Sequence, residues 1–470
     1  MKLRHWQSEC VDCVLDHYAL IDTHFLCLAT PGAGKTVMAA EVAARLFDKQ
    51  DIDFVLCFSP SITIAEGFKR TFSKHLERRF DGLIGAAGCS YTYQSLPYFN
   101  QDFWQLLLNH RVLVIFDEIH HCSGQTLEDS NAWGQEIILN IKTLAAYTMA
   151  LTGTPWRSDK SPIVLSQYTG TENLIHCDYT YGLQKAIEDG VCKTPSIVLI
   201  DNEKISVSDN QKEIQIFDSL KSLLGEKVVS YQDIVTNKKA IRFVLERGCS
   251  KLAEIRQTVP NAGGLVVASS VEHANNILDM LVNEFNQSAV VVSYQHDSPS
   301  AVIDNFRTNL TQWIVAIGMV SEGTDIPRLQ VCCHLSRIKT ELYFRQVLGR
   351  ILRINGKQHQ NAWLYTFSET KLSEYAHRIS EDLPEIPVII REFIELNDVH
   401  SDIHLEPKHN NDSLDIGFSY NSSFDTHELP YQLGFNNSST MDNVEPTTRC
   451  FELLGLFREQ VVATFNSPFQ

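Results

Sequence analysis

Short apolar runs recur along the chain and alternate with stretches of helical spacing. Residues 25–29, 54–59 and 112–116 read as strands, while 5–20 and 37–47 carry the three-and-four spacing of helices. The run Val112-Leu113-Val114-Ile115-Phe116 has no polar face, which predicts a central parallel strand covered on both sides. The same texture returns at 264–269, 289–292 and 313–317, with a helical pattern over 271–284, and predicts a second parallel sheet. Residues 341–353 read as a further helix. Residues 183–195, with Gly190 and Pro195, read as the exit from the first unit, and 200–260 as a helical lead-in to the second. The pattern thus predicts an α/β chain with one domain over 1–195 and another over 196–395. From 396 onward Asn, Ser and Asp dominate, predicting a loosely ordered polar tail over 396–470 that closes in an amphipathic helix at 451–465.

The first candidate chemistry lies between the first strand and its helix. Thr30-Pro31-Gly32-Ala33-Gly34-Lys35-Thr36 is a small-residue loop that opens a helix. Such a loop converges N–H groups on an anion, and the helix dipole adds to the attraction. Lys35 would reach β and γ phosphates and the Thr36 hydroxyl would sit on Mg²⁺. The second stretch follows the 112–116 strand. Asp117 and Glu118 stand at its C-terminal end, where open α/β sheets place ligands. Asp117 suits Mg²⁺, and Glu118 suits the orientation and deprotonation of a water.

Asp117-Glu118-Ile119-His120 resembles the signature of the DEAD/DEAH-type helicases of superfamily two, and further matches follow in family order. The loop's Ala29 stands where the general phosphate-loop pattern has Gly, a form that resembles the first motif of these helicases. Gln7, in Leu3-Arg4-His5-Trp6-Gln7, resembles their adenine-reading glutamine. Ser59-Pro60 and Thr92-Tyr93-Gln94 resemble two motifs that touch the nucleic-acid backbone. Leu151-Thr152-Gly153-Thr154-Pro155 resembles the third motif, which with His120 couples nucleotide state to grip. Ser269, after the 264–268 run, falls at motif four. Ser321-Glu322-Gly323-Thr324-Asp325 resembles motif five, with Gly323 and Asp325 toward nucleotide and Thr324 toward a strand phosphate. Gln346, Arg350 and Arg353 fit Gln-x-x-Gly-Arg-x-x-Arg, the arginines three apart on one helical face and suited to γ-phosphate charge.

The resemblance implies two tandem RecA-like parallel-sheet domains, with ATP and Mg²⁺ in the cleft between them. It implies an ATP-driven helicase or translocase. Gln346 in place of His at the head of motif six favours DNA over RNA. The texture resembles helicase subunits of restriction enzymes and related DNA-repair or antiphage helicases. An RNA helicase, and an ATP-gated clamp or assembly subunit that grips without unwinding, remain the alternatives.

Composition narrows this further. A formal net charge of −17 excludes a protein that coats nucleic acid by bulk positive charge, so binding should use amides and hydroxyls in a narrow groove. The tail is especially acidic, with ten acids against three bases from 401 onward, and is a candidate for docking a protein partner. The 12 cysteines are scattered. Cys10 and Cys13 share a helical stripe with Trp6, Val14 and Tyr18, which reads as packing, and no metal site beyond Mg²⁺ is expected. No uncharged apolar run approaches the roughly 18 residues of a membrane span. The N-terminal segment lacks a secretion signal, so a cytoplasmic location is expected.

Overall fold

The computed structural model describes residues 2–20, 22–154, 157, 161–169, 174–208, 214–293, 299–317, 326–355, 360–381, 388–392 and 450–463. Pro155, Gly323, Thr324, Asp325 and the tail over 396–449 lie outside the described residues.

The first unit runs α1 (His5–Leu20), β1 (His24–Ala29), α2 (Lys35–Asp48), β2 (Phe54–Ser59), α3 (Ile62–Leu76), β3 (Gly88–Thr92), α4 (Gln101–Asn109), β4 (Val112–Asp117), α5 (Ala132–Asn140) and β5 (Tyr147–Thr152). An antiparallel pair, β6 (Gln167–Thr169) and β7 (Leu174–His176), then leads to β8 (Tyr179–Tyr181) and α6 (Leu183–Glu188). Six of these strands form one parallel sheet in the order β3-β2-β4-β5-β1-β8. Every residue of β4 is buried, as its unbroken apolar run requires. β1 and β4 flank β5, so the loop after β1 and the carboxylates after β4 open on the same sheet edge.

The second unit begins with β9 (Thr194–Asn202), β10 (Ile205–Ser208) and β11 (Ile214–Phe217), followed by α7 (Leu220–Gly225), α8 (Tyr231–Thr236) and α9 (Lys238–Thr258). The lead-in over 200–260 is therefore part strand, not helical throughout. β12 (Gly263–Val267), α10 (Val271–Asp279), β13 (Ala289–Val292), α11 (Pro299–Thr308), β14 (Trp313–Ala316), β15 (Leu329–His334), α12 (Glu341–Ile351), β16 (Asn361–Phe367), α13 (Thr370–Glu381) and β17 (Val388–Glu392) complete it, with β18 (Cys450–Leu453) and β19 (Phe457–Ala463) from the C-terminal segment. The sheet order is β13-β14-β12-β15-β16-β9-β19-β17. Strands β13 to β9 are parallel; β19 runs antiparallel to both β9 and β17. Two RecA-like parallel sheets are thus present, the second extended by an antiparallel pair.

The terminal helix expected over 451–465 does not form over its described part, 451–463, which is the end of β18, a short connection and β19. Along β19 Phe457, Glu459 and Val461 are buried and alternate with more accessible Arg458 and Gln460. Glu459 disguises this period of two, because a carboxylate reads as an outward position. Arg247 on α9 pairs with it at 3.0 Å, which makes its burial tolerable. Phe457 stacks on Phe243 with ring centroids 4.3 Å apart, and Val462 is fully buried. The segment docks on its own chain. Among the described residues no helix is long and apolar enough to cross a membrane.

Three buried histidines, His120, His273 and His334, and the half-buried His24 give the fold a pH dependence. Burial lowers His24, His273 and His334 from 6.5 to about 4, and His120 to about 3. The unfolded chain therefore binds more protons between these values, so this stability is present above pH 6.5 and drains away as pH falls toward 4. Denaturant midpoints measured at pH 7 and pH 5 should show the lower midpoint at pH 5. Phe457→Ala should cost about 3–5 kcal/mol in the same assay; a loss below about 0.5 kcal/mol, as at an exposed site, would contradict the docked strand.

Candidate nucleotide site

Two left-handed glycines shape the loop after β1. Gly32 has φ 83° and Gly34 φ 97°, a region that L side chains rarely adopt. The loop is held from both flanks. Thr30 N–H donates to the Tyr181 carbonyl at 3.0 Å and Ala33 N–H to the Thr30 carbonyl at 3.1 Å. Arg4 Nη1 donates to the Ala33 carbonyl at 2.6 Å, and Gln7 Nε2 to the Gly34 carbonyl at 2.9 Å. Lys35 and Thr36 open α2, so their N–H groups have no preceding helical turn to bond. Gln7, the expected adenine reader, is buried beside the loop, and its Oε1 accepts the Arg4 N–H at 2.8 Å, so the amide braces the loop with one N–H and one lone pair.

Lys35 Nζ lies 3.2 Å from the Ala29 carbonyl and 3.3 Å from Glu118 Oε1. Glu118 Oε2 accepts the Gly153 N–H at 3.2 Å. This reach depends on an unusual backbone, since Glu118 sits in the left-handed region at φ 49°, ψ 53°. Adjacent carboxyls are driven in opposite directions. Burial pushes Asp117 up, and the Glu118 charge adds to it, more than Lys35 offsets. Burial also opposes ionisation of Glu118, but the Lys35 ammonium, helped by the Gly153 N–H, outweighs it and holds that carboxyl down. Asp117 Oδ1 is buried with no hydrogen-bond partner.

The residues expected to couple nucleotide state to grip do come together. His120 Nδ1 lies 3.1 Å from Thr152 Oγ1 and 3.4 Å from Thr154 Oγ1. The single Thr152 hydroxyl proton goes to the Thr154 carbonyl at 2.8 Å. His120 Nδ1 must then carry the proton that meets Thr152, leaving Nε2 a bare acceptor in a neutral ring. Arg157 Nη1 donates to the His120 carbonyl at 2.5 Å.

The second sheet meets this loop through α12. A side-chain carbon on Gly349 would lie 2.8 Å from Pro31 Cβ, and one on Gly32 would lie 3.0 Å from Arg353 Cγ. Helix and loop touch where neither glycine has a side chain. Gln346 and Arg350 are half-buried on α12. Arg353 is placed differently from expectation: α12 ends at Ile351, so the two arginines do not share one helical face. Arg353 instead forms an antiparallel bridge with Cys192, ahead of β9, and the Cys192 Sγ faces the Pro31 carbonyl at 3.8 Å.

Residues 1–157 match the family described as type III restriction enzyme, res subunit. An uncharacterized protein of Mycobacterium leprae is 30% identical over 371 residues, covering 75% of this chain and 59% of that protein. A protein named DNA 3'-5' translocase XPB2, from Sulfurisphaera tokodaii, is 23% identical over 381 residues, covering 76% and 80% of the two chains. The chain is thus similar to the res subunits over residues 1–157 and to a named translocase over most of its length. A solved fragment assigned to the HsdR subunit of a type I restriction enzyme, from Vibrio vulnificus, shares the fold: its TM-score is 0.51 at 17% identity, over 78% of this chain and 64% of that one. The chain spans 59% of the length of the mycobacterial relatives it matches.

The residues expected to meet nucleic acid divide. Ser59 is fully buried, its hydroxyl engaged with the Ser61 and Tyr91 carbonyls, which corrects its assignment as a strand contact. Ser269 is half-buried: its N–H lies 3.2 Å and its hydroxyl 2.8 Å from His273 Nδ1, and its Oγ accepts from Gln232 Nε2 at 3.2 Å. Thr92 and Gln94 stay half-buried at the end of β3, with Gln94 Nε2 donating to the carbonyl of buried Pro60 at 3.2 Å. Several residues escaped the sequence reading. Arg4 lay within the quoted N-terminal stretch, yet only its reach to Ala33 shows its use. Lys193 is fully buried, its Nζ donating to the Pro327 and Leu329 carbonyls at 2.9 and 2.6 Å, and no spacing rule could have paired it with them.

Gly349→Ala tests the contact of helix and loop. Alanine favours a helix by about 1 kcal/mol over glycine, so the fold should hold. The added carbon meets Pro31 and should lower any ATPase turnover by roughly tenfold to a hundredfold through misplacement alone. Turnover is read against the melting temperature; unchanged turnover would show that the contact is dispensable.

Proposed function

We propose that this chain is an ATP-dependent motor on nucleic acid, a helicase or translocase working on DNA. The observation that best supports it is the approach of Gly349 and Arg353 to Pro31 and Gly32, which brings a second-sheet arginine beside the loop that carries Lys35. The residues suit Mg²⁺-ATP. Two left-handed glycines and a helix N-terminus form an anion cradle, and the orphaned Asp117 Oδ1 is a buried oxygen in need of a cation. Thr30 to Thr36 would hold the phosphates, with Thr36 and Asp117 on the metal side. Bound Mg²⁺ supplies charge neutralisation across the phosphates.

The chain's own groups then divide the work. Lys35 now neutralises Glu118, and its transfer to phosphate removes the cation that keeps this carboxylate a weak base. Burial then dominates, and Glu118 gains the basicity needed to orient and deprotonate water. Arg350 and Arg353 meet developing γ-phosphate charge from the opposite wall. His120, Thr152 and Thr154 link that event to strand grip at Thr92 and Gln94. The choice of DNA rests on Gln346 at the head of motif six and on the similarity to the DNA translocase of Sulfurisphaera tokodaii.

ATP hydrolysis measured in parallel without nucleic acid and with single-stranded DNA, duplex DNA and RNA tests the reading. DNA should stimulate most; stimulation by RNA alone would overturn the DNA assignment, and no hydrolysis at all would overturn the motor. Lys35→Ala should abolish turnover, whereas Arg353→Ala should lose turnover while ATP affinity stays within about twofold, as for a group acting in the transition state.

A further inference from the structure

Tyr93 joins the proposed strand face to the proposed catalytic carboxylate. It is fully buried in the turn that follows β3, between Thr92 and Gln94. Its ring stacks on Trp133 with centroids 5.6 Å apart, and its hydroxyl reaches past β2 to donate to the Asp117 carbonyl at 2.8 Å. That carbonyl belongs to the peptide whose N–H is that of Glu118. Its orientation sets the rotation at Glu118, the residue held at φ 49°, ψ 53°. A non-glycine residue stays in that region only where its surroundings over-determine it. Beyond the Tyr93 bond, Glu118 is held by its side-chain contacts with Lys35, Gly153 N–H and His120, and by the His121 N–H on its carbonyl at 3.1 Å. The arrival of phosphate would take Lys35 away, leaving the Tyr93 hydroxyl as the bond to this peptide that comes from the proposed strand face.

The other end of the turn is half-buried, with Thr92 and Gln94 partly open to solvent. Gln94 Nε2 braces the Pro60 carbonyl, while its Oε1 is buried with no partner among the described residues. Thr92 Oγ1 shares a hydrogen bond with Ser95 Oγ at 3.2 Å. A strand that engages these groups would pull on a turn whose middle residue is rigidly wedged by its stack and its hydroxyl.

Resting on the motor reading, we propose that Tyr93 is a positioning residue: its hydroxyl transmits nucleic-acid occupancy at Thr92 and Gln94 to the Asp117–Glu118 peptide, and so sets how well Glu118 is aimed when DNA is bound. Neither DNA nor ATP touches it. Its loss should appear in kcat under stimulation, and not in affinity for either ligand.

Tyr93→Phe removes the hydroxyl and keeps the ring. With the full chain, the DNA-stimulated kcat should fall about tenfold, the effect of one well-placed hydrogen bond, with the KM for ATP and the half-saturating DNA concentration within about twofold. The ratio of stimulated to basal rate is the readout, because a partly unfolded sample lowers both rates alike and leaves it unchanged. Trp133→Phe keeps the hydroxyl and should keep the ratio. A Y93F ratio equal to wild type overturns the assignment, as does an equal loss in Trp133→Phe, which would make packing the cause. A wild type whose ATPase no nucleic acid changes ends the motor reading instead. In that case the aiming of Glu118 still stands or falls on whether Y93F lowers the basal kcat.

Discussion

Everything at this site depends on two units coming together where there is no side chain to keep them apart. Gly349 on α12 faces Pro31, and Gly32 faces the Arg353 side chain, with space in neither place for a Cβ. An arginine segment from the second sheet can therefore approach the loop that presents Lys35. The linker supports this geometry from below. Cys192 bridges Arg353, Lys193 N–H donates to the Leu352 carbonyl at 2.7 Å, and the buried Lys193 ammonium ties the same residue to the carbonyls that flank Arg328. Strand β9 starts immediately afterwards, so the crossing between the units is also the edge on which the second sheet is extended.

Electrostatics in the cleft follow from burial of three charges at once. Asp117 and Glu118 are neighbours in the same apolar end of the sheet, yet one is pushed toward its neutral form and the other held ionised. The difference is partnership: Glu118 has the Lys35 ammonium and a backbone N–H, whereas Asp117 has an orphaned oxygen and a charged neighbour. A buried carboxyl without a partner is costly, and a divalent cation is the kind of group that relieves it. The same apolar setting keeps His120 neutral, so its part in the network is one of hydrogen-bond direction and not of charge.

The C-terminal strands give the second sheet an ending. β19 pairs with β9 from Ser196 to Asn202, and β17 covers β19 in turn, so over that span the strand that leaves the linker is not an open edge. Arg247 and Phe243 on α9 hold Glu459 and Phe457 respectively, which fastens this addition to the helical layer as well as to the sheet.

Periodicity and motif order alone determined the two parallel sheets, the loop from Thr30 to Thr36, and the carboxylates after β4. These features arise from local rules: unbroken apolar runs bury central strands, and small residues turn tightly before a helix. Only the tertiary structure decided what each polar side chain is already bonded to. Gln7 and Ser269 have the right chemistry for ligand contacts, and close neighbours in space already engage one N–H of Gln7 and sit against the Ser269 hydroxyl. Ser59 is closed in by its own strand end, Arg353 is set by a bridge to Cys192 and not by its helix, and Glu459 is hidden by an arginine more than two hundred positions away. A hydroxyl or amide has few hydrogen-bonding positions, and which partner fills them is fixed by proximity in the folded chain, a quantity that no spacing along the sequence contains.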